Sequence, residues 1–198
     1  MRASAVFRLL GPLAAALFVV AVVGFGAVLP GYLQGRHPVA LLGADGMPHA
    51  LAFNLLAWIL PGLLAAMWAL HLRARLPRAA AWSARVGAQM LVVAALAFAG
   101  MGLLPLQVED LDGVASQLHA SAWMVWVLGF VAGALLLAAG VRRQAGGLAL
   151  LSVGCAVLAA VAGFCLQGLV AQPLAQRVVF GAWGLWLAAA PQLVRRWP

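Results

Sequence analysis

Lysine is absent from this 198-residue chain, and acids are nearly so: 12 basic residues, all of them arginine, stand against four carboxylates. Charged residues make up only 8% of the sequence, while 66% is hydrophobic. A soluble domain of this length carries roughly a quarter charged residues, so this chain has too little polar surface to cover a globule in water. Its solvent is lipid. Cysteine is scarce as well, with Cys155 and Cys165 in one apolar stretch. Ten residues of helix put them ~15 Å apart, too far for a disulfide. They read as small apolar filler and say nothing about redox compartment.

Charge is missing at membrane depth too. Away from their ends, the second to sixth apolar runs hold no ionisable side chain. Asn54, Gln89, Ser152 and Gln167 are their deeper strongly polar residues. A proton relay or an ion-coupling carboxylate needs such a group at midplane, and this argues against a conventional pump or secondary transporter.

What the chain does have is apolar length, with a mean hydropathy of +1.06. Six runs, at 9–29, 50–71, 86–106, 119–141, 147–170 and 177–194, are each long enough to cross ~30 Å of hydrocarbon. With short connections between them, they predict an all-α polytopic membrane protein, residues 1–198 forming one six-helix bundle. Arg2 and Arg8 precede the first run as in a signal peptide. That run exceeds a signal-peptide core, however, and Leu29 to Gln34 offers no small-x-small cleavage site, so the sequence predicts a retained helix. Pro30, Pro48, Pro105 and Pro173 mark segment edges, whereas Pro61 lies inside the second run and predicts a kink there.

Arginine placement predicts orientation. Arg2, Arg8, Arg73, Arg75, Arg78, Arg85, Arg142, Arg143, Arg195 and Arg196 fall on one side, and Arg36 and Arg177 on the other. The positive-inside rule assigns the first side, with both termini, to the cytoplasm. The basic charge then belongs to topology and anionic inner-leaflet lipid, not to a nucleic-acid groove. Trp68, Trp82 and Trp197 fall near the cytoplasmic interface and Trp123 near the outer one, as belt anchors do. Trp58, Trp126 and Trp186 fall deeper and are expected to fill the bundle.

All four acids, Asp45, Glu109, Asp110 and Asp112, lie on the outer side with His37, His49 and His119. His49-Ala-Leu-Ala-Phe and His119-Ala-Ser-Ala-Trp share a pattern, and each follows an Asp-Gly pair. Two parallel hairpin repeats would bring the two imidazoles together across one outer vestibule. Two His with Asp110 and Asp112 could then hold a divalent metal such as Zn²⁺, although no tight His-x-x-x-His spacing is present. The alternative is that these His bond at the interface and the acids cap helices. Arg36 and Arg177 could take the phosphate of a lipid headgroup. A bis-His haem fits less well, because no further His pair lies deeper. On the fourth run, His119, Ala122, Trp126, Gly129 and Gly133 share one stripe, and the Gly129-x-x-x-Gly133 pair permits close approach of a neighbouring helix.

His37 to Pro61, Gly102-Leu-Leu-Pro105 with the acidic loop and Leu118-His119 after it, and Gly181-x-Trp183 together resemble a widespread bacterial family of six-helix membrane proteins. That family is known only as a domain of unknown function. The resemblance covers nearly the whole chain and implies a six-span fold in a bacterial cytoplasmic membrane, with no particular activity. Two positions depart from it. Ala40 stands where the family tends to carry Ser, and Gln107 where an Asp often follows the Pro that ends the third helix.

The sequence thus leads to a membrane module whose extracytoplasmic face binds a lipid or a membrane-protein partner. The alternative is a metal-dependent hydrolase acting on a lipid headgroup through His49, His119, Asp110 and Asp112. Ser116 and Ser121 lie nearby, without an evident base partner.

Overall fold

A computed structural model describes residues 2–77, 80–166 and 168–194. Arg78, Gln167, Arg195, Arg196 and Trp197, and the side chain of Arg2, lie outside the described residues. Six helices are each long and apolar enough to cross a membrane. They are α1 (Arg2–Val28), α2 (Ala50–Arg75), α3 (Trp82–Leu103), α4 (Val114–Val141), α5 (Gly146–Cys165) and α6 (Gln172–Val194). No strand occurs among the described residues. The protein is an all-α, multi-pass membrane bundle.

Each helix packs on its neighbour in sequence, and α6 returns to α1, so the six form a closed ring in chain order. Four of the five connections, at 76–81, 104–113, 142–145 and 166–171, are short enough to leave consecutive helices adjacent and antiparallel; the 29–49 connection is longer. Five helices send aromatic rings to the middle of the ring. Phe18 comes from α1, Trp58 from α2, Phe98 from α3, Trp126 and Phe130 from α4, and Phe180, Trp183 and Trp186 from α6. Trp126 stacks on Phe180 at 5.0 Å, and Phe98 meets Trp126 edge-on at 5.2 Å, both favoured ring geometries. From α5, Ser152 accepts the Trp186 indole N–H at 3.0 Å. Trp58, Trp126 and Trp186 fill the core as their depth in the sequence implies. Trp82 is exposed as a belt residue would be, but Trp68 is only 1% exposed. Half a turn of helix, about two residues, separates a lipid-facing position from a protein-facing one, and depth alone does not tell them apart.

The tightest seam lies between α3 and α4. A Cβ on Gly133 would meet the Gly87 carbonyl at 3.0 Å and Leu91 at 3.1 Å; one on Gly140 would meet Ala84 N at 2.5 Å. A Cβ on Gly87 would run into Leu137 N and lie 2.6 Å from the Gly133 carbonyl. Here the backbones touch, as small residues allow in lipid. The stripe read from the fourth run does face protein: His119, Trp126, Gly129 and Gly133 are all buried.

Two stretches depart from regular helix. At Asn54–Ile59 the turn widens, and the Leu60 N–H reaches back five residues to the Leu55 carbonyl. Pro61 follows at the start of the next regular segment, so the irregularity predicted at this proline takes the form of a widened turn just before it. A second wide turn, Val161–Cys165, ends α5, where the Leu166 N–H bonds the Val161 carbonyl at 3.1 Å. Wide turns of this kind often mark functional positions.

The arginine-rich end of the bundle is closed by short connections. At the other, the loop end, helix lengths do not match. α4 has 28 residues and α5 has 20, or ~42 Å against ~30 Å at 1.5 Å per residue. Both lead away from the short turn at 142–145, so α5 stops well short of the loop end of α4.

Candidate functional site

The 29–49 connection is a folded cover over the loop end rather than an open loop. It contains a short helical turn, Val39–Gly43, and buries Tyr32, Val39, Leu42 and Ala44. Three attachments hold it down. Asn54, buried where α2 widens, donates to the Gly43 carbonyl at 2.9 Å, and the Asp45 N–H bonds the Leu106 carbonyl at 2.8 Å. The third is Arg177 on α6. Its guanidinium donates to the His37 carbonyl at 3.0 Å, the Pro173 carbonyl at 2.9 Å, the Tyr32 hydroxyl at 2.8 Å and Gln34 Oε1 at 2.8 Å. All four acceptors are neutral. Burial pushes the Tyr32 phenol above its ordinary value, and the positive charge and hydrogen bond of Arg177 act in the opposite direction.

The acidic connection before α4 is tied to its own chain. The Ser116 hydroxyl accepts the Gln107 N–H at 3.1 Å and donates to the Asp110 carbonyl at 2.8 Å. The Asp110 carboxylate lies over Gly113, the residue that opens α4, where a negative charge complements the helix dipole. Gln117 reaches back to the Asp112 carbonyl at 2.8 Å, and Ser121 to the Gln117 carbonyl at 2.8 Å.

His119 has a definite task. Its Nδ1 bonds the Leu104 carbonyl at 2.7 Å, and the Met101 carbonyl is a second backbone partner of the ring. These carbonyls belong to the end of α3, where helical partners have run out. His119 therefore caps α3 from α4, the interfacial hydrogen-bonding role that the sequence offered as the alternative to ligation.

Beside this cap is a cavity of about 750 Å³. Trp58, Met101 and Phe180 bring the aromatic core to it, His119 and Trp123 line it from α4, and Gln172 and Gln176 line it from α6. Pro38 and Ala40 from the folded cover complete it. Both wide turns contribute to the wall, through Trp58 in the first and Ala162 and Gly163 in the second. Along α4 the lining runs from His119 to Met124, and Ala120 and Met124 are exposed. That is ten residues, or ~15 Å, below Val114, so the cavity reaches into the depth of the span beside the stretch that α5 leaves uncovered.

The candidate residues read from sequence are thus distributed unevenly. His119 is buried at the cavity wall; Asp110 and Asp112 are exposed in the acidic connection; His49 is exposed at the start of α2, with a left-handed φ of 61°. The two His do not hold equivalent positions, because α4 begins at Val114 and carries His119 into its second turn. Among the described residues, no three His, Cys, Asp or Glu side chains gather where they could hold a metal ion. Of the two headgroup candidates, Arg36 is exposed and Arg177 anchors the cover. Sequence reasoning missed Trp123, Gln172 and Gln176. Two glutamines one helical turn apart share a face and were the available signal; of the wide turns, Pro61 signalled the first and nothing signalled the second.

Comparison with family models, with curated proteins and with solved structures finds no match to this chain.

Proposed function

We propose that the protein is a non-catalytic lipid-binding module that holds one lipid-class molecule in the cavity at its loop end. The observation that carries this reading is the cavity itself. It has the size of a small-molecule site, an apolar and aromatic lining, and a few polar groups at one end. Exposed rim residues at the depth of the span provide a route from the bilayer. We place the protein in a bacterial cytoplasmic membrane with the arginine-rich end inside, so that the cavity opens on the outer leaflet. The ten-to-two arginine asymmetry supports this orientation.

Native mass spectrometry of the detergent-purified protein tests the reading. The wild type should retain a lipid-mass adduct through delipidation. Ala120→Trp at the exposed rim should release it, as should Gly163→Leu, where a Cβ has only contacts of 3.6 Å and beyond. An adduct that survives both changes would remove the cavity as the site. Reporter fusions test orientation separately: those in 30–48 and 107–117 should read external, and those after Val194 cytoplasmic.

A further inference from the structure

We infer, resting on the cavity reading above, that the bound molecule is a neutral lipid whose polar end is an uncharged oxygen group, a carbonyl or hydroxyl, rather than an anionic phospholipid. Among the described residues, no arginine, aspartate or glutamate lines the cavity. Its polar lining is His119, Trp123, Gln172 and Gln176, all hydrogen-bonding groups without fixed charge. The Trp123 indole N–H, like those of Trp68 and Trp126, is buried and has no acceptor among the described residues. A buried donor without a partner is unfavourable, and a turn of the ring toward the cavity would let a ligand oxygen relieve it. The side-chain amides of Gln172 and Gln176 have no hydrogen bond among the described residues and supply further donors and acceptors.

A phosphate would find the opposite conditions. An anion brought into an apolar site needs a paired cation. Arg177, the residue after Gln176 on α6, already directs four bonds at neutral acceptors in the cover and at Pro173. To reach a phosphate it would have to release the cover. Of the two arginines proposed from sequence as headgroup ligands, Arg177 is committed to the fold and Arg36 is exposed outside the cavity lining, and the polar groups at the cavity suit an uncharged oxygen.

Glyceride esters and prenyl quinones share this chemistry, and the experiment separates them. Purified protein is delipidated and mixed in turn with dioleoylglycerol, a long-chain prenyl quinone and dioleoylphosphatidylglycerol. Native mass spectrometry then counts the retained lipid. At least one neutral lipid should be retained tenfold or more over the phosphatidylglycerol, and Ala120→Trp should abolish its retention. Trp123→Phe and Gln176→Leu, which keep the apolar wall, should each cut that preference severalfold. Phosphatidylglycerol retained equally or better, and still lost in Ala120→Trp, would overturn the neutral-lipid inference and leave the cavity reading standing. Retention of every probe unchanged in Ala120→Trp and Gly163→Leu would overturn both. A neutral preference unaltered in both Trp123→Phe and Gln176→Leu would overturn the assignment of these polar groups.

Discussion

The two flanks of α4 are built to opposite ends. Against α3, Gly140 meets Ala84 with no room for another carbon, and Gly129 and Gly133 meet Ala94 and Gly87 with room only if the neighbour shifts by a few tenths of an ångström. Toward α5 and α6, the same helix faces a cavity of about 750 Å³ lined by His119 and Trp123. In lipid no hydrophobic effect draws helices together, so contact follows shape. Where small residues align, the backbones close; where a neighbour is shorter and its last turn widens, a space opens. The closed flank fixes α4, and the open flank is where a ligand can bind without disturbing it.

The strongest way to break this comparison is to force carbon into the closed flank. Gly87→Leu should cost ~3 kcal/mol or more, because its neighbours are backbone atoms that cannot yield. It should lose a monodisperse peak in size-exclusion chromatography. Gly133→Leu should cost ~1–3 kcal/mol and lower Tm in detergent. Leu135→Ile, on an exposed position of the same helix, should leave Tm within error. Equal tolerance of Gly87→Leu and Leu135→Ile would mean the seam is not packed as described.

Arg177→Met comes next. It removes four hydrogen bonds from one partly buried cation and should cost on the order of 2 kcal/mol. The effect should be local: hydrogen exchange should accelerate at 32–44, while α3 and α4 keep their protection. Uniform acceleration through the bundle would contradict a cover held mainly at its own attachments. His119→Phe should cost ~1–3 kcal/mol by leaving the end of α3 without its partner, with faster exchange at 104–107.

The smallest effect is on Tyr32. As the single tyrosine, it can be titrated by phenolate absorbance without interference from others. Burial raises its folded pKa above the ordinary value of 10.0. A raised folded pKa means the folded state favours the protonated phenol. The resulting stability is fully present below the unfolded pKa and is lost as pH rises through the folded pKa. The midpoint should lie above that of a free tyrosine, and unfolding should release the phenol to titrate normally. A midpoint at or below the free value would show Arg177 outweighing burial.

The closed flank was legible from the sequence and the open one was not, for physical reasons. A stripe such as His119, Trp126, Gly129 and Gly133 follows from helical period alone, and small residues on it announce close packing. Six apolar runs likewise announce six spans. A cavity arises instead from a difference between helices of 28 and 20 residues and from two widened turns; Pro61 marks the first turn, but neither the length difference nor the second turn has a local sequence signature. The acids misdirected attention for a related reason. Their clustering is local in sequence, but Asp110 lies over Gly113, and Ser116 ties the connection to itself. His119 was correctly placed on the packed side, while its partner, the end of α3, comes from a helix whose last residue was predicted at 106 rather than Leu103.

The central claim is that the open flank of α4 holds a lipid-class molecule, and a density map of the protein in a lipid nanodisc tests it most directly. The account predicts elongated non-protein density in the cavity, running from Trp123 and the two α6 glutamines past Met124 toward the bilayer. Density with the side chains of α4 and α6 collapsed onto each other, leaving no space between Trp123 and Phe180, would contradict it.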